Sequence, residues 1–117
     1  MAFMTDAGAD LILQMQLKGA LEGAVKPISY GALARDLNVP GPGAIARVTG
    51  ALEALMRDDA AADRPFLAVM CESKLSGGMP ALGFFQMATA LGRYMGPATG
   101  AQAAAFVAEQ RALLAQA

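Results

Sequence analysis

The single cysteine of this 117-residue chain, Cys71, stands in "VMCES". A thiol becomes a nucleophile when a nearby cation or a helix N-terminus lowers its pKa. Its neighbours here are Met70 and the acidic Glu72, so these residue types point to a buried structural cysteine. Histidine is absent, which removes the commonest general base and metal ligand. The carboxylates Asp58, Asp59 and Asp63 crowd around an alanine run, but without a His partner they read as a solvated helix end. "LSGGMPALG" at 75–83 has loop glycines without the Gly-Lys-Ser/Thr of a phosphate loop. The chain is therefore expected to be no enzyme, with no catalytic residue, no cofactor and no metal.

The remaining chemistry is basic. At about 100° per residue, Arg47, Gly50 and Arg57 fall on one side of a helical pattern with Gly43 and Ala54. Ile45, Val48, Leu52 and Met56 fall on the other. Small residues let a helix backbone approach a duplex, and Arg contacts phosphate or a guanine edge. The same smooth face also suits close helix packing, inside the fold or across a dimer. Arg35, beside Asp36 on a preceding short pattern, can touch a phosphate or stay solvated. Lys74 opens a glycine-rich turn, where it can meet a DNA backbone or minor groove or simply lie on the surface, as turn lysines commonly do. Ser29 fits a helix N-cap. Tyr30 can pack its amphipathic ring half into the core with its hydroxyl satisfied.

The elements that must hold these residues follow from spacing and breakers. Asp10 can cap a helix over about 10–24, with Leu13, Leu17, Leu21 and Ala24 at helical intervals. Lys26-Pro27 breaks it. After an extended Ile28, a short helix is expected over about 30–37, presenting Leu33 and Leu37. "NVPGPG" at 38–43 makes a corner. A longer helix over about 43–61 buries Ile45, Val48, Leu52, Leu55 and Met56. "FLAVMCES" at 66–73 reads as a strand covered on both faces, and "KLSGGMPALG" as the loop of a hairpin. Helical spacing resumes through Phe84, Met87, Ala88 and Leu91 until Gly96-Pro97, and an alanine-rich helix with Phe106, Val107, Leu113 and Leu114 fills the tail. Met56, Met70, Met87 and Met95 fall at core positions.

Residues 28–78 resemble the winged-helix DNA-binding domain of alkylguanine-DNA alkyltransferases and alkyltransferase-like proteins. "ISYGALARDL" matches that family's lead-in to the helix-turn-helix, "ARVTGAL" its recognition helix, and "PFLAVMCESKLSGG" its Pro-Cys-His-Arg-Val segment and Gly-Gly wing. The reactive cysteine position falls on Phe66, the histidine on Leu67 and the arginine on Ala68. Phenylalanine cannot accept an alkyl group, so the resemblance implies DNA binding without alkyl transfer, with Tyr30 stacking on or displacing a base. The corner before the third helix is about three residues longer than the family's, which leaves open whether Arg47 matches the family's base-displacing arginine.

The length suits one domain: a winged helix-turn-helix core over 25–80 and a helical extension over 81–117. The fold expectation is mainly α with a small β-hairpin. With 56% hydrophobic residues, one cysteine, an acidic N-terminus and no apolar run of membrane length, a cytoplasmic protein is expected. The net charge of −1 argues against indiscriminate nucleic-acid binding, although residues 26–57 carry four basic against two acidic side chains. Two functions remain in contention: a non-catalytic module that binds double-stranded DNA or regulates it, and a homodimeric assembly domain with an exposed Phe84-Phe85 or Phe106 patch. The first requires an outward guanidinium face on the third helix and paired strands over 66–79.

Overall fold

The computed structural model describes the backbone of residues 2–116 and the side chains of residues 11–116. It is mainly helical with a small β element. The α-helices are α1 (Ala2–Glu22), α2 (Tyr30–Asp36), α3 (Ala44–Ala61), α4 (Leu82–Ala90) and α5 (Ala101–Ala115), and two short strands, β1 (Ile28–Ser29) and β2 (Cys71–Glu72), join in one sheet.

Helix α1 buries Leu13, Leu17 and Leu21, as their spacing predicts, and packs along α3. It begins at Ala2, so Asp10 lies inside it rather than at its cap. Helix α3 buries Val48, Ala51, Leu52, Leu55 and Met56. Ile45, expected on that buried face, is 48% exposed, because it lies in the first turn at the edge of the packed stripe. Helix α4 stops at Ala90, short of Gly96-Pro97. Gly92 takes φ +75°, and the Arg93 N–H reaches the Ala88 carbonyl at 2.9 Å, the backbone signature of a left-handed helix stop. The chain beyond it turns away, so Met95 is exposed rather than core, while Tyr94 is buried with its hydroxyl donating to the Pro97 carbonyl at 2.6 Å.

The expected hairpin is absent among the described residues. Leu67–Met70 form a 3-10 turn, and only Cys71 and Glu72 pair as a strand. Their partner is β1, in parallel, with Ile28 opposite Cys71 and Ser29 opposite Glu72. The apolar run is buried as expected, but its backbone donors go elsewhere. The Phe66 N–H donates to Gln110 Oε1 at 2.7 Å and the Leu67 N–H to Asp59 Oδ2 at 3.0 Å. The glycine-rich stretch folds onto itself: the Ser73 N–H donates to the Met79 carbonyl, a 3-10 turn spans Lys74–Ser76, and Gly77 and Gly78 take positive φ. It forms a compact loop rather than a wing of paired strands.

Phe66, Phe84, Phe85, Tyr94 and Phe106 form one aromatic cluster, with ring centroids 4.7–6.2 Å apart in the contacting pairs. Phe84 and Phe85 are buried and Phe106 is half-buried, so the exposed Phe84-Phe85 patch does not exist. The Arg93 guanidinium lies 4.6 Å from the Phe66 ring centroid and seals one end of the cluster.

Candidate nucleic-acid interface

Helices α2 and α3 pack together across a short turn whose local chemistry is visible at each joint. Ser29, in extended conformation, caps α2 by accepting the Ala32 N–H on Oγ at 3.1 Å. The chain leaves α2 through Asn38 in the left-handed region, with the Val39 N–H bonded to the Ala34 carbonyl. Gly41 (φ +78°) and Gly43 (φ +89°) complete the corner, conformations that glycine adopts without steric penalty.

On α3, Arg47, Gly50 and Arg57 are exposed and Ala54 is half-buried. A Cβ added at Gly50 would meet nothing within 4 Å, so this side of the helix is open. The helical pitch brings these residues to one outward face, about 180° from the buried stripe. Arg35 is exposed on α2, and Lys74 is exposed at the start of the 3-10 turn after β2. Neither Arg35, Arg47, Arg57 nor Lys74 enters an ion pair among the described residues, where the one such pair is Arg64–Asp59. Acidic residues border the face: Asp36 and Asp58 are exposed and Glu53 is half-buried.

Tyr30 is engaged elsewhere. Its hydroxyl accepts the Ala81 N–H at 3.2 Å, and burial raises its pKa despite that bond. Its ring lines a groove of ≈240 Å³ together with Ile45, Thr49, Leu52 and Phe84. The tyrosine thus ties the start of α2 to the start of α4.

Phe66, Leu67 and Ala68, at the positions of the resembled family's reactive motif, are all buried. Burial, and secondarily Glu72, push the Cys71 thiol up to about 12. A thiol so strongly held in its protonated form is a poor nucleophile near neutrality. No group of three or more His, Cys, Asp or Glu side chains able to hold a metal forms among the described residues.

Four polar side chains organise this region in roles that the sequence reading did not assign. Asp59 is buried rather than solvated, and it joins α3 to the following segment through Leu67 and Arg64. Gln110 is buried on α5 and holds Phe66. Arg111 donates Nε and Nη2 to the Val69 carbonyl and Nη2 to that of Gly78. Arg93 donates Nη2 to the Arg64 carbonyl. One signal was available: Asp59 follows Leu52, Leu55 and Met56 at helical spacing, so its position is that of a core residue.

Comparison with protein-family models, with curated proteins and with solved structures finds no match to this chain. No helix among the described residues is long and apolar enough to cross a membrane.

Proposed function

We propose that this chain is a non-catalytic helix-turn-helix module that contacts double-stranded DNA, directly or in a regulatory assembly, through the outward face of α3. The observation that carries this reading is the open side bearing Arg47, Gly50 and Arg57, with guanidinium groups in no ion pair among the described residues and open space at Gly50. The resemblance of residues 28–78 to alkyltransferase-like domains supports it. One of the two requirements of this reading, paired strands over 66–79, is not met, so its winged form falls and the proposal rests on the α3 face alone, with Lys74 on the compact 73–79 loop as an accessory phosphate contact. The bordering carboxylates limit affinity, so binding is weak and electrostatic. A single buried thiol suits a reducing cytoplasm.

Titration of a fluorescent duplex tests the reading. Binding should fall with added salt, with a log–log slope of about −0.9 per phosphate contacted. The double variant Arg47→Ala/Arg57→Ala should lose it while keeping its thermal stability. Absence of binding at micromolar protein in low salt rejects the proposal.

A second reading, homodimeric assembly, is favoured by one observation. On the side of α1 away from the core, Leu11, Ile12 and Met15 are 61%, 58% and 73% exposed. A helix apolar on both sides is usually buried on both.

A further inference from the structure

A larger concavity lies on another part of the molecule, between the C-terminal half of α1, the 23–27 connector, the 3-10 turn at 67–70 and the end of α5. Its volume is ≈790 Å³, within the ~300–1,000 Å³ typical of small-molecule sites. Leu21, Leu67, Met70 and Leu114 give it apolar walls, and Val25, 94% exposed, stands at its edge.

Three cations line this groove, Lys18, Arg64 and Arg111, against the carboxylates Glu22 and Asp59. Asp59 is already committed to the Leu67 N–H and to Arg64 Nε. Arg64 keeps both Nη nitrogens free of protein acceptors among the described residues. Arg111 uses Nε and Nη2 on backbone carbonyls, and its Nη1 has no acceptor among the described residues. Lys18 is exposed and enters no ion pair among the described residues. Unused cationic donors thus stand beside apolar surface, with Glu22 as the one uncommitted carboxylate of the lining. Burial also lowers the pKa of Arg111, which Glu72 opposes, so a further anion there would offset lost hydration.

We propose that this groove binds a small organic anion with an apolar body, a medium-chain or aryl carboxylate. The carboxylate takes the free donors of Lys18, Arg64 and Arg111, and the apolar body lies against Leu21, Leu67, Met70 and Leu114. Charge complementarity selects an anion over a neutral amphiphile, and the apolar walls select an amphiphile over a simple inorganic anion. The site shares no residue with the α3 face, so it stands whether or not that face binds DNA.

The test uses the full chain and 1-anilinonaphthalene-8-sulfonate, an aryl anion that fluoresces on leaving water. Monomeric decanoate should displace the probe about tenfold more effectively than decanol, a difference of one charge-assisted contact. Decyltrimethylammonium should fail to compete. Lys18→Glu, at an exposed position of α1, should weaken decanoate about tenfold with the melting temperature unchanged. Leu114→Asp should abolish probe binding with the helical circular dichroism retained.

Equal competition by decanol and decanoate would mean only a greasy surface and overturns the proposal. So does probe binding that survives Leu114→Asp, or decanoate affinity indifferent to Lys18→Glu. Competition by phosphatidylglycerol vesicles without competition by free decanoate assigns the surface to a membrane and overturns it as well.

Discussion

Asp59 is the one charged residue buried among those described. One carboxylate oxygen accepts the buried Leu67 N–H and the other accepts from Arg64, whose side chain is half-exposed. The Arg64 contact adds little, as exposed ion pairs do. The Leu67 contact matters because its loss leaves a buried donor unmet. Asp59→Ala should cost about 2–3 kcal/mol. Asp59→Asn, which keeps an acceptor oxygen, should cost about half of that, measured by urea unfolding with an unchanged slope. Cys71 makes a pH-dependent prediction. Its folded pKa of about 12 lies above the ordinary 9.0, so the native state holds the proton more tightly than the unfolded chain. That contribution is fully present below pH 9 and declines as pH rises from about 9 towards 12. Cys71→Ala should therefore lose less stability across that range than the parent. The parent thiol should resist labelling at near-neutral pH until denaturant is added, and rapid native-state modification would refute the burial argument. Both residues were partly readable in sequence. The neighbours of Cys71 gave its inertness, whereas the acidity of Asp59 masked its core position because its partner amide is supplied by a turn that spacing alone does not reveal.

At the scale of elements, helices were legible wherever apolar residues recur three and four apart. Leu13, Leu17 and Leu21 of α1 and Val48, Leu52, Leu55 and Met56 of α3 are all buried. The stretch at 66–73 was not. A continuous apolar run reports burial without conformation, and the conformation here is set by Gln110 and Asp59, which take two successive backbone donors. The early end of α4 was missed because the Gly96-Pro97 signal is stronger in sequence than the lone Gly92 that stops the helix. Two glycines give a paired test. Gly92 has φ +75° with open space around its Cβ position, so Gly92→Ala meets no clash and should cost about 1–2 kcal/mol from backbone strain alone. Gly50 lies in the exposed middle of α3, also with open space, and Gly50→Ala should stabilise by about 0.5–1 kcal/mol. Thermal unfolding of the two variants reads the opposite signs directly.

For the whole molecule, the core joins all five helices into one body, and the two proposed functions use different outer sides of it. The proposed self-association through α1 implies a specific geometry. In an antiparallel pair with its two-fold axis at Met15, Leu11 of one copy faces Gly19 of the other, where a Cβ would meet nothing within 4 Å. Met15→Cys should then form a disulfide-linked dimer under mild oxidation, and Leu11→Glu should leave a monomer at every concentration in sedimentation. Sedimentation of the parent as a single 12.0 kDa species throughout would remove the assembly reading and leave the DNA reading untouched.

The parallel seam of Ile28 with Cys71 and Ser29 with Glu72 brings together two points far apart along the chain. Neighbouring strands lie about 4.8 Å apart. Everything between them, the two-helix unit and the long descent to the 3-10 turn, is a cassette whose two ends emerge side by side. The inward side of that unit is not free to change, because α3 lies on α1 and lends Val48, Leu52, Leu55 and Met56 to the shared interior; its outward residues alone can vary while the frame stays put.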